Sequence, residues 1–154
     1  MLFMHGNADD VHSSQTYCQW LANALDLNVI NFDYPGYGFS SGDSTSEEGM
    51  LQAADCAFEL ITTKIKCNVS EVVLCGKSIG SFPAVSLAAQ AYCDRIRGLV
   101  LISPVASVAR CVFDTNFVPN YVMRKLDSLT LNNLSMISKV RCLVLLVHGN
   151  QDSC

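Results

Sequence analysis

Short apolar runs recur along the chain at residues 1–4, 29–32, 72–75, 99–102 and 142–147, each ending in glycine, proline or polar residues. Runs of this length, unbroken or nearly so, predict strands buried on both faces. Between them, apolar residues return at helical spacing. Tyr17, Trp20, Leu21, Ala24 and Leu25 predict one helix, capped by Ser13 or Ser14, with Tyr17 and Trp20 as core aromatics. Leu51, Ala54, Phe58, Ile61 and Ile65 predict a second, opened by a capping box of Thr45 and Glu48. An amphipathic run through Phe82, Val85 and Ala89 predicts a third; from there to Lys139, past the fourth strand, the pattern weakens into turns and short helices. Strands alternating with helices predict an α/β fold, a doubly wound and mostly parallel sheet with helices on both faces. Residues 1–154 read as one domain, without repeats or linkers. In such sheets, functional residues gather at the carboxyl ends of the strands.

The third apolar run leads directly into Gly76-Lys77-Ser78-Ile79-Gly80. Strand, G-x-S-x-G, then helix is the setting of a nucleophile elbow. A serine on so sharp a turn sits in strained backbone, and small residues on either side let the flanking segments pass closely. Ser78 is thus the candidate nucleophile. The backbone N–H of Ile79, at the positive end of the following helix, points where an oxyanion would form. Pro83 fits the first helical turn, where N–H groups lack intrahelical partners.

Composition narrows the reading. Ten Lys and Arg against fourteen Asp and Glu give a formal net charge of −4 with no basic cluster, so nucleic acid is excluded as an expected partner. No apolar run approaches the about 20 residues of a membrane-spanning helix, and no signal-like leader opens the chain. The eight cysteines are scattered without C-x-x-C spacing, which argues against zinc and for reduced, buried thiols in a cytoplasmic protein. Neither a metal nor an organic cofactor is expected.

Four blocks then carry a family resemblance: Leu2-Phe3-Met4-His5-Gly6-Asn7-Ala8, Asp33-Tyr34-Pro35-Gly36-Tyr37-Gly38-Phe39-Ser40-Ser41-Gly42, the elbow, and Val147-His148-Gly149-Asn150-Gln151-Asp152. With Ile102-Ser103-Pro104 they resemble the α/β-hydrolase superfamily, and within it the membrane-associated acyl-protein thioesterases that remove palmitate from protein cysteines. The resemblance implies Ser78 as nucleophile, Asp152 as the triad acid, and backbone N–H groups of Ile79 and of Asn7 or Ala8 as the oxyanion hole. It implies an acylated protein or lipid-like acyl substrate and peripheral association with membranes. It also places the catalytic histidine beyond the acid, so the chain is expected to be a fragment, truncated at both ends of the fold and poorly active alone. Val105, Val108 and Phe113, after the fourth strand, are the expected wall for an apolar tail.

Other readings stand beside these. His5 and His148 read as structural strand-end histidines, the latter packed, and His12 as solvent-facing. Asp33 reads as a loop stabiliser, and Cys75 as a buried thiol rather than a rival nucleophile. Lys77 is expected to face out and tune substrate charge. A serine peptidase of the prolyl-oligopeptidase clan shares the elbow and sheet, and a catalytically inactive binding module is the rival from another class.

Overall fold

A computed structural model describes residues 1–42, 46–90, 95–112, 118–127 and 131–150. All five expected strands form: β1 (Leu2–Met4), β2 (Ile30–Asn31), β3 (Val73–Lys77), β4 (Gly98–Ile102) and β5 (Val144–Val147). They build one sheet in the order β2-β1-β3-β4-β5, with every pairing parallel. The nucleophile strand β3 lies at the centre, where both neighbours satisfy its backbone.

Successive residues of a strand face opposite sides, and the two cores follow that alternation. Leu2, Met4, Leu74, Leu99 and Leu101 face one side, packed with Ala54, Phe58, Ile61, Val85 and Leu87. Phe3 and Cys75 face the other, against Cys18 and Leu21. The first side is covered by α2 (Glu47–Glu59), extended by a π turn at Leu60–Lys64, and by α3 (Ser81–Ala88). The second is covered by α1 (Val11–Leu25). Two short helices, α4 (Val108–Val112) and α5 (Asn120–Asp127), follow β4. Among the described residues no helix is long and apolar enough to cross a membrane.

Several expected details are corrected. The N-cap of α1 is Asp10, whose side chain accepts from Ser13 N–H while Ser13 closes a reciprocal capping box. Packing against the sheet turns Cys18 and Leu21 inward, and Tyr17 and Trp20 are 36% and 59% exposed. Those two rings stack at 6.0 Å, and Tyr17 also reaches the buried Phe3, at 5.7 Å. Helix α2 is capped by Ser46, which accepts from Gly49 N–H, and Glu48 pairs with Gln52 instead; Thr45 lies outside the described residues. Met50 is buried where Leu51 was expected, and Ile65 is exposed. Helix α3 is not amphipathic: all of its residues except Ser86 are buried, as befits a helix enclosed between sheet and neighbours. Among the cysteines, Cys18 and Cys75 are buried, but Cys56 and Cys111 are exposed.

Candidate active site

The elbow takes the conformation its sequence demands. Ser78 has φ +51°, a left-handed backbone that costs an L-residue of this kind about 1–3 kcal/mol and persists only where the surroundings enforce it. The enforcement comes from strand and helix pressed together. A Cβ on Gly80 would lie 2.2 Å from the Met4 carbonyl oxygen and 2.5 Å from that of His5. Ser78–Gly80 forms a tight 3-10 turn directly into α3, so Ile79, the candidate oxyanion donor after the nucleophile, sits in the turn that begins that helical segment.

Sheet register brings the neighbouring loops alongside. Met4 pairs with Gly76, and Lys77 with Ile102, so the loops leaving β1 and β4 flank Ser78. A Cβ on Gly6 would meet the Ser78 Cβ at 3.6 Å and Asp9 Oδ2 at 3.2 Å. The loop is shaped as a turn by Asp9 N–H donating to the Gly6 carbonyl at 3.1 Å. Asn7 and Ala8 are its exposed tip, and the Tyr37 hydroxyl donates to Asn7 Oδ1 at 2.5 Å. Lys77 does not simply face out: its Nζ pairs with Asp9 Oδ2 at 2.9 Å. That hydrogen bond, with the lysine's charge, holds the Asp9 carboxyl below its ordinary range.

His5 is fully buried beneath this loop. Its Nδ1 donates to the Gly6 carbonyl at 2.9 Å, and its Nε2 lies 3.6 Å from Asp33 Oδ1. The ring packs on Tyr34, centroids 4.5 Å apart. Asp33 also accepts from Val11 N–H at the start of α1, at 2.8 Å. Asp33 thereby ties the end of β2 to α1, while the buried His5 Nε2 makes no hydrogen bond among the described residues. His12 is exposed on α1. Burial pushes the Cys75 thiol up to about 12, leaving it no competing thiolate near neutral pH.

On the other flank, Ser103 takes φ +42° and donates its N–H to the Val147 carbonyl at 2.7 Å. Val105 lines an apolar cavity of about 260 Å³ with Val85, Leu101, Pro104 and Leu146. Val108 is not part of that lining, and Phe113 lies outside the described residues. The buried Asn133, which sequence reasoning passed over, donates Nδ2 to Ser81 Oγ at 2.8 Å and to the Val105 carbonyl at 2.7 Å. It ties the cavity wall to the first turn of α3. Nothing in its local sequence, Leu131-Asn132-Asn133-Leu134-Ser135, marks it out. Farther out, Arg110 and Ser107 both bond the buried Asp127 carboxylate, joining α4 to α5.

The last strand is exposed throughout. His148 at its end is exposed rather than packed, since no helix covers that edge among the described residues. Asp152 lies outside the described residues. Among the described residues no group of three or more His, Cys, Asp or Glu could hold a metal ion.

This geometry has clear relatives. Alpha/beta hydrolase domain-containing protein 17C of Mus musculus is 33% identical over 153 residues, covering 99% of this chain and 44% of that protein. Its 17B counterpart of Xenopus laevis is also 33% identical, covering 99% and 49%. The Caenorhabditis elegans protein aho-3, of the same domain description, is 32% identical, covering 99% and 43%. The chain thus spans less than half the length of each. Among solved structures, an alpha-beta hydrolase from Vibrio vulnificus matches with a TM-score of 0.80 at 21% identity, covering 97% of this chain and 56% of that one. The Francisella virulence factor BioJ matches at 0.63 and 14%, covering 98% and 66%; at such identities the likeness is one of fold. The family model described as serine aminopeptidase, S33 (Hydrolase_4) matches residues 1–142, and with the elbow and sheet order above the chain belongs to that family of the α/β-hydrolase superfamily.

Proposed function

We propose that this chain carries the nucleophile and oxyanion loop of a serine hydrolase that cleaves acyl esters or thioesters of lipid-like chains, removing palmitate from proteins. The observation that carries the reading is Ser78 held at φ +51° on the turn between β3 and α3. A serine is fixed in that costly conformation where its hydroxyl must stand clear of the sheet. In this reading Ser78 Oγ attacks the acyl carbonyl as a histidine takes its proton. The carbonyl oxygen, now negative, is held by the N–H groups of Ile79 and of Asn7 or Ala8. Such donors typically contribute roughly 3–4 kcal/mol to the transition state. The tetrahedral intermediate collapses to an acyl-serine as the thiol or alcohol leaves with the proton, and water then releases the acid.

Asp152 is assigned as the acid that orients the histidine, and the histidine to the longer protein, as the family resemblance implies. The apolar cavity beside Val105 supports a greasy tail, although Val108 does not line it. The acylated protein partner and peripheral membrane association belong to this reading too; the chemistry needs no metal or organic cofactor. A second reading, a peptidase, is favoured by the name of the matching family.

In the full-length protein, Ser78→Ala should abolish fluorophosphonate labelling and ester turnover while leaving the fold intact. A palmitoyl-cysteine thioester should be cleaved at least about tenfold faster than a peptide amide. Labelling that survives Ser78→Ala places the nucleophile elsewhere, and efficient amide cleavage without thioesterase activity selects the peptidase reading.

A further inference from the structure

Two segments 68 residues apart in sequence must keep register to within a fraction of an ångström if Ile79 and the Asn7–Ala8 tip are to share one oxyanion. What joins them is an ion pair. Lys77 immediately precedes the nucleophile, and its Nζ reaches Asp9 Oδ2 at 2.9 Å across the gap between β3 and the loop after β1. The same Oδ2 accepts from Gly6 N–H at 3.4 Å, and Asp9 N–H returns to the Gly6 carbonyl at 3.1 Å. Asp9 therefore closes the turn whose tip is Asn7–Ala8, and Lys77 holds that turn against the elbow. We propose that Lys77 and Asp9 are positioning residues, an electrostatic latch that sets the distance between the two halves of the oxyanion hole. This deepens the acyl-serine reading above and rests on it.

Magnitudes separate this role from a structural one. The two side chains are 43% and 24% exposed, and an ion pair that wet contributes little to stability. Losing it leaves the fold intact. Misplacing a catalytic group by about 1 Å, in contrast, can cost about 100-fold in rate. The latch should thus register in kcat and scarcely in the melt. The sheet places β3 beside β1 to within its register, but the loop after β1 has no such ladder to hold its tip. The Tyr37–Asn7 hydrogen bond anchors the tip from the β2 side, and Lys77–Asp9 anchors its base from the nucleophile side.

The test uses the full-length protein with an uncharged short-chain p-nitrophenyl ester, so that salt does not screen the substrate itself. Lys77→Gln and Asp9→Asn should each lower kcat about 10- to 100-fold with KM changed less than about twofold and the melting temperature nearly unchanged. The double variant should be no worse than either single one, because each removes the same contact. Lys77→Arg, which keeps the charge, should recover most of the rate. Raising NaCl from about 0.05 M to about 1 M should lower kcat of the native protein toward that of Lys77→Gln, and leave the variant unmoved. That salt titration needs no variant to fold. Native kcat in both single variants, or a salt-insensitive native kcat, overturns the latch while Ser78-dependent turnover persists. If turnover survives Ser78→Ala, the acyl-serine reading falls, and the latch with it.

Discussion

A Cβ placed on Gly76 would lie 2.6 Å from the Cα of Ser81 and 2.5 Å from the Gly80 carbonyl oxygen. These are backbone atoms, so no rotamer change relieves the overlap; β3 and α3 would have to separate. Gly80 meets the same limit against Met4 and His5. We expect Gly76→Ala and Gly80→Ala each to cost about 3 kcal/mol or more. Gly98→Ala, whose nearest atom is the Leu143 carbonyl oxygen at 3.2 Å, should cost clearly less. Urea midpoints at unchanged slope are the measurement, and a loss below about 1 kcal/mol at Gly80 would contradict this packing.

Thiol chemistry gives a separate check on burial. The Cys75 thiol, pushed up to about 12, lies in the core opposite Cys18, whose thiol burial also raises. Cys56 is exposed on α2. Since the thiolate is the reactive form, iodoacetamide near pH 8 should modify Cys56 and leave Cys75 untouched until denaturant is added. Peptide mass spectrometry reads the pattern. Rapid modification of Cys75 in the folded protein would mean that β3 is not the buried centre of the sheet.

The Arg110–Asp127 pair predicts a dependence on pH. Arg110, with help from the Ser107 hydroxyl, holds the buried Asp127 carboxyl below its ordinary range. A carboxyl lowered on folding stabilises the protein above its unfolded value of about 4. That stabilisation is lost as pH falls through the lower, folded value. Asp127→Asn should therefore destabilise the chain at neutral pH, and should flatten the decline of stability below about pH 4. Chemical denaturation of both proteins across that range measures it. Parallel declines would mean that other carboxylates dominate acid unfolding.

Much of this architecture was legible in the residues because its signals are local. A short apolar run bounded by glycine or polar residues is already a strand, and all five appeared where the pattern put them. The elbow was legible because strand, G-x-S-x-G and helix are contiguous in sequence; that Gly80 must also clear the Met4 and His5 carbonyls was not. Helical spacing located α1 but not its inward side. Periodicity says which residues share a stripe, whereas the sheet decides which stripe it meets. The sheet met the Cys18–Leu21 stripe and left Trp20 at the surface. The pairs that assemble the candidate site were not legible at all. Lys77 meets Asp9 across 68 residues, and Asn133 meets Ser81 across 52. Neither residue of such a pair carries a local mark of its partner, because a side chain's reach is a few ångströms. Only the path of the chain, set by parallel pairing of β1, β3 and β4, brings the loops within that reach.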